Sequence, residues 1–81
     1  MNIRVKLFAI LRERAGASEL ALDLSEGSTV SDASDALART MPAIAKHLPR
    51  VAFAVDQGYV DRATVLHDGE ELALIPPVSG G

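Results

Sequence analysis

Only one stretch of this chain carries a helical period long enough to define a helix, and the rest must be arranged around it. Val30, Ala33, Leu37 and Met41 fall three and four residues apart, the spacing that gathers apolar side chains on one helix face. Thr29 stands where an N-cap belongs, Asp32 lies in the first turn and Arg39 near the last, so the segment agrees with the helix dipole, and Asp35 is spaced to pair with Arg39. Elsewhere the period is two. Ile3, Val5 and Leu7 alternate with Arg4, Lys6 and Phe8, predicting a strand over residues 2–10, and Leu20, Leu22 and Leu24 predict a second. Val51, Phe53 and Val55 give a third, turned at Asp56-Gln57-Gly58 into a brief strand at Tyr59-Val60. Glu71 to Ile75 follows the Asp68-Gly69 turn as the last. Leu11 to Gly16 reads as a short helical turn ended by glycine. Pro42 opens a second helical piece that Leu48-Pro49 closes, and residues 61–67 carry no clear period. The expected class is α+β, a single mixed sheet with the main helix packed on one side.

The 81 residues leave room for one core. Apolar residues are 48% of the chain, but 13 are alanines, so core volume rests on ten Leu, seven Val, four Ile and a few others. Cysteine is absent, which removes disulfides, thiolate nucleophiles, iron–sulfur clusters and Cys-type zinc sites together. A small secreted domain would ordinarily carry disulfides, so a cytoplasmic location is expected. The first 17 residues imitate a secretion signal, but their apolar run, Leu7 to Leu11, meets Arg12-Glu13-Arg14 before reaching the roughly 7 to 15 residues a signal needs. No apolar stretch approaches the roughly 20 residues of a membrane span. The net charge of −3 comes from 8 basic and 11 acidic side chains, with the basic ones scattered and only Phe8, Phe53 and Tyr59 aromatic. Neither a phosphate-binding patch nor a base-stacking platform results, so no nucleic-acid or membrane partner is expected.

No internal constellation supports catalysis, and no metal or bound cofactor is expected. Gly16, Gly27, Gly58 and Gly69 form no phosphate-binding loop, His47 and His67 stand alone, and Ser31 and Ser34 lie on the helix with no base beside them. Strand parity singles out something else. If Leu7 and Leu74 face the core, Phe8 and Ile75 face outward, and Tyr59 lies at a turn exit. Two readings stand on the residues alone: a contact patch, or ordinary exposed apolar side chains.

The end of the sequence carries the most specific signal. The last strand runs into Pro76-Pro77-Val78-Ser79-Gly80-Gly81, where two prolines stop the strand and two glycines, without Cβ atoms, are thin enough to thread a narrow channel. A folded domain over residues 1–75 and an extended tail over 76–81 are expected. A free α-carboxylate at Gly81 is an anion at neutral pH and a poor acyl electrophile. Joined to AMP as a mixed anhydride it gains a leaving group, and attack by a sulfur donor leaves a thiocarboxylate. The chain has neither a nucleotide loop nor a thiol, so partners must supply both.

Over essentially its whole length the sequence resembles the ubiquitin-like sulfur carriers, most closely the MoaD family of small molybdopterin synthase subunits. The resemblance is carried by Phe8-Ala9 with Arg12-Glu13 and Gly16, by Thr29-Val30, by Asp68-Gly69-Glu70-Glu71, and above all by the Pro76–Gly81 ending. It implies a β-grasp fold and adenylation of Gly81 by a MoeB-like enzyme that consumes ATP. It further implies loading by a sulfur donor protein, and insertion of Pro76, Pro77, Val78, Ser79 and Gly80 into a MoaE-like large subunit. There sulfur passes to cyclic pyranopterin monophosphate. The matching positions for an apolar partner interface are Phe8, Tyr59 and Ile75, with Ile75 an aliphatic where the family often has an aromatic, and Arg12 is a further candidate. Two alternatives remain: a sulfur carrier for thiamin, cysteine or tRNA thiolation, or a ubiquitin-like protein modifier or interaction module. Thiamin carriers tend to lack a segment like Pro42 to Pro49.

Overall fold

The computed structural model describes residues 1–77. Five strands form one sheet: β1 (Asn2–Leu7), β2 (Glu19–Asp23), β3 (Ala52–Val55), β4 (Gly58–Val60) and β5 (Glu71–Ile75), in the spatial order β2-β1-β5-β3-β4. β5 is central. It runs parallel to β1, with Val5 opposite Leu72 and Leu7 opposite Leu74, and antiparallel to β3, with Phe53 opposite Leu74. The period-two residues Ile3, Val5, Leu7, Leu22, Phe53, Leu72 and Leu74 all point to one side, where they are buried with Val30, Ala33 and Leu37 of the main helix. The mixed α+β architecture expected from the sequence is the one found.

Three helices connect the strands: α1 (Ile10–Ala15), α2 (Val30–Thr40) and α3 (Pro42–Ala45), the last followed by a 3-10 turn over Leu48–Arg50. α2 begins where its capping residues place it. Thr29 Oγ1 accepts from Asp32 N–H at 3.2 Å, and Asp32 Oδ2 accepts from Thr29 N–H at 2.9 Å, a reciprocal capping box. The segment without a clear period supplies two further caps. Val30 N–H donates to Thr64 O and Ser31 N–H to Arg62 O, both at 2.9 Å, so the first-turn donors of α2 are met by main-chain carbonyls. Residues 61–67 are thus a strap across the helix start, anchored by buried Leu66 and a Thr29–Val65 bridge. Arg62 fixes the strap's other end: its guanidinium lies 4.8 Å from the Phe53 ring centroid and donates to Leu48 O at 2.7 Å. The exposed Asp35 and Arg39 form no ion pair among the described residues.

β1 is shorter than its alternation predicts, ending at Leu7 rather than at residue 10. The cause is Ala9, whose φ of 50° and ψ of −125° turn the chain out of the sheet, after which Ile10 opens α1. That conformation suits glycine and costs an alanine on the order of 1–3 kcal/mol. Ala9→Gly is therefore expected to stabilise the domain by about 1 kcal/mol, after the added freedom of the unfolded chain is counted. The measurement is a higher urea midpoint at unchanged slope, and a lower midpoint would show that residue 9 is not strained.

Candidate functional site

The side of the sheet away from α2 carries the outward-pointing residues. Register places four of them in one row across four strands: Lys6 is opposite Ala73, Ala73 opposite Ala54, and Ala54 opposite Tyr59. The two middle residues are small. Ala54 and Ala73 therefore form the floor of a shallow concavity of about 280 Å³, with Phe8, Tyr59 and Ile75 as apolar walls and Lys6, Gln57 and Glu71 at the polar end. Although they point outward, Ala54 and Ala73 are only 5% and 9% exposed, because the larger side chains around them stand higher. A second depression of about 300 Å³ lies on the helical side, between α2, the 3-10 turn and Arg62. Two of its polar side chains are paired with each other, since Arg62 also donates to the buried Ser34 Oγ at 3.4 Å.

The structure brings together three of the four interface residues expected from the sequence. Phe8 is 42% exposed and Tyr59 75% exposed, and both line the concavity with Ile75. Ile75 is half-buried rather than fully outward, packed as a wall of the concavity beside Ala73. Arg12 is exposed on α1 and does not line it. Alternation along single strands could not reveal Ala54 and Ala73, because each is unremarkable alone and they form a floor only once the register of β3 on β5 is known. A run of small residues opposite core positions in two strands is the signal that marks such a floor.

The polar end is held by a turn with an unusual backbone. Asp56 and Gln57, between β3 and β4, have φ of 45° and 74°, the left-handed region that a two-residue hairpin requires and that glycine or asparagine ordinarily fills. Asp56 holds this turn to β5 twice, its N–H donating to Glu71 O at 3.0 Å and its Oδ1 accepting from Glu71 N–H at 3.1 Å. Glu71 Oε1 in turn stands 3.6 Å from Lys6 Nζ and 3.7 Å from Arg4 Nη1.

At the opposite end of the concavity β5 terminates, and half-buried Pro76 and exposed Pro77 continue from Ile75. The expected tail residues Val78, Ser79, Gly80 and Gly81 lie outside the described residues. Among the described residues no group of three or more His, Asp or Glu side chains could hold a metal ion, and no helix is long and apolar enough to cross a membrane.

A central β5 parallel to β1, helices on one side and a half-exposed apolar surface on the other define the ubiquitin-like β-grasp class. Within that class, the chain belongs to the ThiS family, whose model matches residues 5–81. The molybdopterin synthase sulfur carrier subunit of Chlamydomonas reinhardtii is 37% identical, with the whole of both chains covered. Small archaeal modifier protein 1 of Haloferax volcanii is 40% identical over 94% of this chain and 97% of its own. Its crystal structure superimposes with a TM-score of 0.89 over all of both chains, at 32% identity. A chain from the complex of subunits 1 and 2 of molybdopterin-converting factor from Helicobacter pylori, 22% identical, has the same fold with a TM-score of 0.72 over all of both chains.

Proposed function

We propose that this chain is the sulfur-carrying small subunit of a molybdopterin synthase, and that its reactive group is the carboxylate of Gly81. The observation that supports this most is positional. The central strand delivers Pro76 and Pro77 beside the half-exposed Phe8 and Ile75 surface, so a partner seated on that surface would meet the segment that follows. In this reading a carboxylate oxygen of Gly81 attacks the α-phosphorus of ATP in a MoeB-like activating enzyme, releasing pyrophosphate. Hydrosulfide delivered by the sulfur donor then attacks the acyl carbon and displaces AMP, leaving a thiocarboxylate. Pro76 to Gly80 enter a MoaE-like large subunit, where the terminal sulfur passes to cyclic pyranopterin monophosphate. ATP is consumed by the partner and this chain binds no cofactor. The body of the domain supplies recognition, and the glycines supply a backbone slim enough for an active-site channel.

The test is the intact mass of the chain after incubation with activating enzyme, ATP and sulfur donor. Exchange of one terminal oxygen for sulfur is expected, followed by molybdopterin formation when large subunit and cyclic pterin are added. An unchanged mass overturns the reading. A second reading, that Gly81 is joined to lysines of other proteins, is favoured by the similarity to small archaeal modifier protein 1, and a ladder of conjugates in the same reaction would establish it.

Phe8 provides a separate check. Phe8→Asp is expected to weaken binding of the large subunit by at least about 30-fold, the loss of one aromatic anchor worth roughly 2 kcal/mol or more. Thermal stability should stay unchanged, because the side chain lies outside the core cluster. Titration calorimetry measures the first and a thermal melt the second. Unaltered affinity would return Phe8 to an ordinary exposed side chain.

A further inference from the structure

The polar end of the concavity has a charge arrangement that apolar docking leaves unexplained. Lys6 and Arg4 are about half exposed, at 43% and 53%, whereas Glu71 between them is 18% exposed. The cations therefore stand outward and the shared carboxylate lies beneath. At 3.6 and 3.7 Å from Glu71, and with Arg4 4.0 Å from Glu19, none of these contacts has hydrogen-bond length. Lys6 carries three N–H donors on a mobile ammonium, so this ammonium at the lip of the concavity keeps donors to offer. The surroundings sharpen the contrast, since the chain as a whole bears a charge of −3.

We propose that the concavity seats one acidic side chain of the docking large subunit, its methylene stem over Ala54 and Ala73 and its carboxylate on Lys6 Nζ. This inference rests on the carrier reading above and names the recognition chemistry of the same face. The volume of about 280 Å³ and the alanine floor accept a stem, and the phenol of Tyr59 closes the far wall. Ion pairing at the lip fixes the direction in which the partner sits, and hence which of its surfaces faces Pro76. Charge complementarity of this kind acts on encounter and register, and salt screens it.

The experiment measures binding of the large subunit from the same organism to wild-type chain, Lys6→Glu, Lys6→Gln, Ala73→Leu and Glu71→Gln, each in 50 and 500 mM NaCl, with thermal melts confirming that each variant is folded. Lys6→Glu is expected to weaken binding by about 10-fold or more at low salt, with the difference shrinking to about 2- to 3-fold at high salt. Lys6→Gln should fall between wild type and Lys6→Glu. Ala73→Leu, which fills the floor, should weaken binding about equally at both salts. Glu71→Gln frees the cations from their own carboxylate, so binding should hold or tighten, an outcome that a purely structural lattice of charges would not give. Wild-type affinity for Lys6→Glu at low salt, in a protein that Phe8→Asp does impair, overturns the acidic-anchor inference alone. Failure of the wild-type chain to bind the large subunit overturns this inference and the carrier reading together.

Discussion

Deleting Gly81 is expected to abolish sulfur loading and transfer while the domain melts as before. The chain then ends on Gly80, and its carboxylate is drawn back by one residue, about 3.3–3.6 Å for an extended backbone. A displacement of even about 1 Å from a reactive geometry costs roughly 100-fold in rate, so residual loading below about 1% of wild type is the expected level. Stability should not follow, because the buried cluster ends at Leu74 and Pro77 is already exposed, and terminal residues beyond the core contribute little. Intact-mass spectrometry after the loading reaction reads the first quantity and a thermal melt the second. A variant that still acquires sulfur would remove Gly81 from the chemistry, and one that unfolds would show the segment to be packed against its own domain.

The opposite pattern is expected one strand position before the sheet ends. Leu74 is fully buried, opposite Leu7 on one flank and Phe53 on the other, so Leu74→Ala leaves a cavity among packed core side chains. Such truncations cost on the order of 3–4 kcal/mol in rigid surroundings. The whole stability of an 81-residue domain is about 4–12 kcal/mol at the usual amount per residue. Leu74→Ala should thus lose a large share of the urea midpoint, and loading should fail only as far as the protein is unfolded. Ile75→Ala, on the adjacent outward position, should cost under about 1 kcal/mol. A loss at Leu74 below about 1 kcal/mol would mean the sheet can repack around the site.

What could be read from the sequence was what local physics decides. Thr29 and Asp32 fix the start of α2 by short-range hydrogen bonds, and the alternation around Ile3, Leu22, Phe53 and Leu72 fixes which side of each strand is buried. Phe8 and Ile75 are legible for the same reason, as outward positions of such alternation, and Tyr59 from its place at a turn exit. What could not be read was set by long-range partners. The 61–67 strap has no period because it is held by carbonyls meeting the amides of Val30 and Ser31 and by Arg62 against Phe53, none of which is adjacent in sequence. Alternation carries β1 on to residue 10 because the Ala9 side chain gives no warning of its glycine-like backbone. The floor of Ala54 and Ala73, and the placement of Lys6 at its lip, depend on the registers of β1 and β3 against β5. Arg12 was carried by resemblance and lies off the concavity, while the loading chemistry of Gly81 concerns residues beyond those described.

The position of β5 has a mechanical consequence. Because it is laced to β1 on one flank and β3 on the other, any machine that grips the chain beyond Pro77 and pulls must shear two ladders of main-chain bonds at once. It cannot peel a free edge one rung at a time. Tension applied beyond Pro77 is therefore borne by an interior strand at the middle of the sheet, and a pull on that end would load the body of the domain without unravelling it rung by rung.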